Sequence, residues 1–296
     1  MRSARTSRSL RPVPHELPSF DLIVATVGRI QELGHLLDSL EAQQYQSLRV
    51  IVVDQNDDAR LDPVLAGRGL DVLHLRSEPP GLSRARNVAL EHVAADVIAF
   101  PDDDCVYPPG LMARVADRFS DDTSLDGLTG RAEDASGRSS ASWKADAATL
   151  TDDNLWNRGI SFTIFLRGSV VERVDRFDER LGLGSPDAWS SGEETDYLIR
   201  AVRSGARIEY DPSLVVRHDV RVDDAQIGLR DGASVGYLLR KHRYPLRTVA
   251  RMLVRPVGGA VVSLARRDPT RASYYAATFR GRVRGYRRAS RSKSSR

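Results

Sequence analysis

Short apolar runs alternate with amphipathic stretches through the first hundred residues of this chain. Asp21-Leu-Ile-Val-Ala-Thr26 is a short apolar run, the pattern of a strand buried on both faces, and Gly28 ends it. Ile30, Leu33, Leu36, Leu37 and Leu40 then fall at helical spacing, which predicts a helix with one apolar face. Arg49-Val-Ile-Val-Val-Asp54 reads as a second buried strand and Asp71-Val-Leu-His-Leu75 as a third. Gly81 to His92 reads as a helix with Leu82, Ala85, Ala89 and Val93 near one face, and Asp96 to Phe100 as the next strand. This alternation predicts an α/β fold with a mostly parallel central sheet flanked by helices.

Farther along, the pattern is less regular. Residues 131–158 are rich in Ser, Asp, Gly and Arg and read as an irregular segment. Gly159 to Leu166 restores a strand, and a Gly/Ser-rich loop from Gly182 to Gly192 leads into a helix from Glu193 to about Ser204. Arg207 to Asp211 and Leu214 to His218 read as two short strands, and the remainder is helical by pattern and basic.

Charge divides the chain. Its net charge is +4, yet residues 235–296 hold 17 Lys+Arg against Asp268 alone, and residues 1–15 hold four arginines and no acid. A basic tail beside an acidic body seeks polyanions: nucleic acid, anionic lipid headgroups or the acidic body itself. No zinc-finger, helix-turn-helix or aromatic-basic RNA motif is present, so nucleic acid is not expected, and the tail either packs on the body or lies on an anionic membrane surface. No stretch approaches the ~18–20 apolar residues that span a bilayer. The best candidate, Met252 to Ala265, is interrupted by Arg255 and Pro256. The basic start has no apolar segment after it and reads as a disordered arm, not as a signal peptide. A single cysteine, Cys105, excludes an internal disulfide and fits a reducing compartment.

The candidate chemistry is carboxylate-rich. Asp102-Asp-Asp104 follows the strand that ends at Phe100-Pro101. In an extended stretch Asp102 and Asp104 point one way and Asp103 the other. Paired carboxylates at the carboxyl end of a strand suit a divalent cation with a phosphorylated ligand. Asp54 ends the second strand and is a candidate acceptor for a nucleobase or ribose. Arg84 and Arg86 lie at a helix start, where cations and amides favour phosphate. Gly192-Glu-Glu-Thr-Asp196 opens another helix with more acid than a cap needs, and one carboxylate there is a candidate general base.

Taken in order, Ile23-Val-Ala-Thr-Val-Gly-Arg29, Val52-Val-Asp54, Ala85-Arg-Asn87, Phe100-Pro-Asp-Asp-Asp104, Phe177-Asp-Glu179, Gly192-Glu-Glu-Thr-Asp196 and the strand ending at His218 resemble the family 2 glycosyltransferases, which have the GT-A fold. The resemblance covers roughly residues 20–220. It implies an inverting transfer from a nucleotide-sugar donor to a glycan or lipid-linked acceptor, with Mg²⁺ or Mn²⁺ on the diphosphate, at the cytoplasmic face of the cell membrane in envelope polysaccharide synthesis. It places Thr26, Arg29, Asp54, Arg86, Asp102 and Asp103 at the nucleotide sugar, with Asp102 facing the ribose. Asp104, Asp102 and His218 fall at the metal. The family's Glu-Asp pair reads Glu193-Glu194 here, which assigns Glu194 as the base and Glu193 as the runner-up. The resulting division is a disordered basic arm (1–17), a GT-A domain (18–222), a basic helical extension (223–284) and a disordered tail (285–296). Two other readings stand beside this one. A sugar nucleotidyltransferase would want more glycines than Thr26-Val-Gly-Arg29 supplies, and a non-catalytic nucleotide-sugar- or membrane-binding relative is favoured by the Glu194 departure alone.

Overall fold

The computed structural model describes residues 17–139, 143–185, 187, 189–219 and 224–291. In chain order its elements begin with β1 (Phe20–Thr26), α1 (Gln31–Glu41), β2 (Leu48–Asp54), α2 (Asp62–Leu65), β3 (Asp71–Arg76), α3 (Leu82–Leu90) and β4 (Val97–Ala99). There follow α4 (Leu111–Asp121), β5 (Gly127–Glu133), β6 (Ala148–Thr149), β7 (Ile164–Arg167), α5 (Gly168–Val174), α6 (Glu193–Arg203) and β8 (Ile208–Arg217). Three helices complete the chain: α7 (Ala225–Lys241), α8 (Leu246–Ala265) and α9 (Pro269–Arg291).

One sheet runs in the order β3-β2-β1-β4-β7-β5-β8-β6. β3, β2, β1 and β4 are parallel, as are β5 and β8, while β7 and β6 pair antiparallel to their neighbours. Side-chain alternation divides the core between the two faces. Leu22, Val24, Val50 and Val52 face α1 and α4, whereas Ile23, Ile51 and Val53 face α3, α5 and α6.

Several elements depart from the sequence-based expectation. Leu111, Met112, Val115, Ala116 and Phe119 form the buried face of α4, and α4, β5 and α5 lie outside the predicted elements. Strand β4 is only three residues long, so the acidic triplet sits in a turn beyond it and not on extended backbone. The strand predicted from Gly159 begins only at Ile164, because a 3₁₀ turn over Ser161–Thr163 comes first. The two strands predicted after Arg207 are one continuous strand, β8. Pro212 is accommodated where the β5–β8 register shifts, so its missing N–H breaks no regular ladder.

The C-terminal helices also differ. Helix α9 continues to Arg291, past position 285, where the sequence predicts order to end. The reason is a glycine seam. Gly228, Gly232 and Gly236 of α7 meet the backbone of α9 at Tyr274, Thr278 and Arg282, while Gly281 and Gly285 of α9 meet α7 at Leu229 and Ala233. A Cβ on Gly285 would lie 1.9 Å from the Ala233 carbonyl oxygen, so the two backbones are in direct contact. Helix α8 has 20 residues and runs through Pro256, and by length and composition alone it is apolar enough to cross a membrane. This differs from the expectation that no such stretch exists, because Arg255 and Pro256 interrupt the apolar run without ending the helix. Only 28% of its most apolar window is buried. The arm at 1–16 and the final residues 292–296 lie outside the described residues.

Candidate active site

The carboxyl ends of β1, β2 and β4 open onto one cleft of about 560 Å³, a size suited to a small-molecule ligand. Hydrogen bonds between side chains and backbone knit its rim. Asn56 Oδ1 accepts from the Gly28 N–H at 2.7 Å, and Gln55 Oε1 accepts from the Gly81 N–H at 2.6 Å. Two of the sequence motifs clamp each other. Asn87 Nδ2 donates to the Phe177 carbonyl at 3.0 Å while its Oδ1 accepts from the Phe177 N–H at 2.7 Å.

The acidic turn divides its three carboxylates between two tasks. Asp103 is nearly buried and receives Arg29 Nη1 at 2.9 Å. Burial pushes its pKa up to about 6, with Thr26 and Arg29 pulling it back. The Thr26 hydroxyl has no partner at good hydrogen-bond geometry, yet lies near enough to Asp103 to help hold its charge. Asp102 and Asp104 meet His218, and one ligand atom from each lies within 4.8 Å of the others. Burial opposes charge on Asp104, but His218 Nε2 at 3.1 Å together with Arg29 lowers it to about 2. Burial likewise opposes charge on His218, and Asp104 outweighs it, raising the imidazole pKa. His218 stacks on Phe162, ring centroids 4.8 Å apart, and its Nδ1 donates to the Asp219 carbonyl at 2.8 Å. That bond leaves Nε2 to face the two carboxylates. Two hard oxygens and one imidazole nitrogen fit a divalent cation such as Mg²⁺ or Mn²⁺.

Across the cleft, Gly192 sits at φ +87° and starts α6, a left-handed conformation that favours glycine. Glu193 is buried and accepts from Arg86 Nη1 at 3.0 Å. The other end of that guanidinium donates to Asp102 at 3.1 Å, and its carbon lies 5.4 Å from the Phe177 ring centroid. Arg86 therefore links Asp102 to Glu193 from a buried position. Glu194 lines the cleft, and its pKa is pushed up to about 8, first by burial and then by the charge of Glu193. Behind it, Asp196 is buried among Arg200, Lys241 and His242, which hold it below the usual carboxylate range against the cost of burial. This cluster ties α6 to the end of α7.

Of the residues singled out in the sequence, Arg29, Asp102, Asp103, Asp104, Glu193, Glu194 and His218 line one cleft. Asp54 does not line it. Its buried carboxylate accepts from Asn56 N and Nδ2 at 2.9 and 2.7 Å and from His74 Nε2 at 3.1 Å, so it braces the β2 end from behind. Gln55 and Ser161 are additions. Ser161 Oγ donates to Asp102 at 3.0 Å, and nothing local in the sequence marks it. Trp143 and Trp156 also line the cleft, and two tryptophans in an otherwise polar segment were a legible signal.

The model of the family described as Glycosyl transferase family 2 matches residues 21–169, half of the chain. The chain belongs to glycosyl transferase family 2. Among curated proteins it is similar to the pre-mycofactocin glycosyltransferases of Mycobacterium tuberculosis strains CDC 1551 / Oshkosh and ATCC 25618 / H37Rv, 27% identical to each over 241 residues. The match covers 77% of this chain and 44% of theirs, so the chain spans less than half the length of these family relatives. Solved structures share its GT-A fold at low identity. The mannosyltransferase PcManGT from Pyrobaculum calidifontis, in complex with GDP-Man and Mn²⁺, superposes with a TM-score of 0.63 at 15% identity, covering 95% of this chain and 90% of that one. S. aureus TarS 1–349 superposes at 0.60 and 18% identity, covering 88% and 91%.

Proposed function

We propose that this family 2 chain is an inverting, metal-dependent glycosyltransferase that moves a sugar from a nucleotide-sugar donor to a hydroxyl of a glycan or lipid-linked acceptor, in cell-envelope polysaccharide synthesis. One observation carries the reading: Asp102, Asp104 and His218 converge in a cleft that Glu194 also lines. The structures similar to it include complexes with GDP-Man and with UDP-GlcNAc, which supports a nucleotide sugar as donor.

Mg²⁺ or Mn²⁺ held by Asp102, Asp104 and His218 would supply positive charge to the departing nucleoside diphosphate. The protein's own groups do the rest. The strand ends beside Gln55 and Thr26 seat the nucleoside. Glu193 is engaged by Arg86, which leaves Glu194 as the carboxylate available to the acceptor. Its raised pKa makes its ionised form a stronger base, and it takes the hydroxyl proton as that oxygen attacks the anomeric carbon.

Thermal stability against UDP, GDP, dTDP and their sugars, with Mn²⁺ or with EDTA, tests the reading. A ligand at 100 times its dissociation constant adds about 2.7 kcal/mol. A shift with one nucleotide that both EDTA and Asp104→Asn abolish is expected. No shift with any nucleotide favours the non-catalytic, membrane-binding alternative.

Helix α8 supports peripheral attachment to an anionic membrane surface. Val254, Val257, Val261 and Leu264 follow helical spacing and are 61, 41, 61 and 63% exposed. Exposed Arg247, Arg251 and Arg255 lie beside them. An exposed apolar stripe edged by arginines suits an interfacial helix on anionic lipid.

A further inference from the structure

The helices beyond residue 224 do more than decorate the sheet: Asp231 of α7 and Tyr274 of α9 line the same cleft as the acidic cluster. Trp143, Trp156, Asn157 and Ser190 line it with them. Both tryptophans have already placed their N–H groups. Trp143 Nε1 donates to Ser139 Oγ at 2.7 Å, and Trp156 Nε1 donates to the Asp152 carbonyl at 3.1 Å. Each ring therefore offers the cleft hydrocarbon surface and no polar handle. Trp156 is also braced from behind by Tyr244, ring centroids 5.4 Å apart. Tyr274 is set by the glycine seam, since a Cβ on Gly228 would lie 2.6 Å from the Tyr274 carbonyl oxygen and 3.0 Å from its ring. Hydrocarbon ring surfaces interleaved with an amide, a hydroxyl and a carboxylate match a sugar ring, whose faces are C–H and whose edge is hydroxyl.

We propose that Trp143, Trp156 and Tyr274 form an acceptor subsite for a saccharide ring, with Asp231, Asn157 and Ser190 at its hydroxyl edge. The proposal rests on the transferase reading and names the acceptor class for the same cleft. The subsite spans loop and helical extension, so α7 and α9 are part of the substrate cleft. Asp231 is engaged by Arg230 Nε at 3.1 Å, an arrangement that orients the carboxylate.

The test is binding of the full chain, with Mn²⁺ and the nucleoside diphosphate that stabilises it, to an array of immobilised glycans. Free aryl alcohols and a single-chain lipid alcohol serve as competitors. Retention on one glycan class is expected. Trp156→Ala and Tyr274→Ala should each weaken it about tenfold, the change that ~1.4 kcal/mol makes, and Trp156→Phe should restore most of it. No glycan retained, retention unchanged in both alanine variants, or displacement by the aryl or lipid alcohol but not by free glycan overturns the subsite. Nucleotide binding is read separately by thermal shift. A nucleotide shift without glycan retention refutes the subsite alone, whereas absence of both refutes the transferase reading beneath it.

Discussion

Replacing Arg86 with methionine should act on the whole fold first and on donor binding second. Arg86 is 1% exposed and bridges Asp102 to Glu193, a carboxylate whose side chain is 6% exposed. Methionine fills much of the volume but removes both charge-assisted hydrogen bonds. Glu193 is then left buried without a cation. Breaking a buried pair from one side costs about 3–5 kcal/mol. In a chain of this size each kcal/mol moves Tm by roughly 2–4 °C, so a drop on the order of 10 °C is expected. Urea unfolding followed by tryptophan fluorescence measures it, with the KM for donor taken alongside. A loss under ~1 kcal/mol, combined with a large rise in donor KM, would refute this reasoning and return Arg86 to the phosphate role that the motif implies.

Three other outcomes follow from the same contacts. Glu194→Gln should lower transfer by about 10²–10⁴ with donor binding kept, and wild-type activity should rise with pH as Glu194 loses its proton toward pH 8. Because its folded pKa is raised, wild-type stability should be fullest below the ordinary carboxylate pKa and decline as pH rises through about 8, whereas the Gln variant should lack that decline; parallel stability curves would count against it. Gly285→Ala should cost about 1–3 kcal/mol, since its methyl would collide with the Ala233 carbonyl, and unchanged unfolding would show that the α7–α9 seam is looser than described. Val261→Asp should abolish sedimentation with phosphatidylglycerol vesicles without changing the nucleotide shift, and retained sedimentation would remove α8 from the membrane reading.

The parts of this protein that were legible in the sequence are those written in local pattern. Continuous apolar runs announced β1, β2 and β3, and Leu33, Leu36, Leu37 and Leu40 announced α1, because burial on a sheet or a helix face leaves its period in the chain. The motif order also brought Asp102, Asp104, Glu194 and His218 to notice. What it could not supply was the burial of a side chain by a distant segment. Arg86 meets Glu193 from 107 positions away, and that buried link is not written in the local pattern. Asp54 is enclosed nearer at hand, by Asn56 two residues on and by His74 of the neighbouring strand. The expected alternation of Asp102, Asp103 and Asp104 failed because the strand stops at Ala99. Asp103 is still set apart, but by a turn and by Arg29. The glycine seam was readable all along: Gly228, Gly232 and Gly236 fall every fourth residue, and a small residue on one helical face lets two backbones touch.

Proton NMR of fresh reaction mixtures tests the central claim most directly. A panel of nucleotide sugars with an α anomeric linkage would be mixed with the protein, Mg²⁺ and a glycan acceptor, and the anomeric proton of the first product followed. The account predicts turnover of one donor to a β-linked product, lost with EDTA and reduced at least ~10²-fold in Glu194→Gln. An α-linked first product, or transfer that persists without a divalent cation, would contradict it.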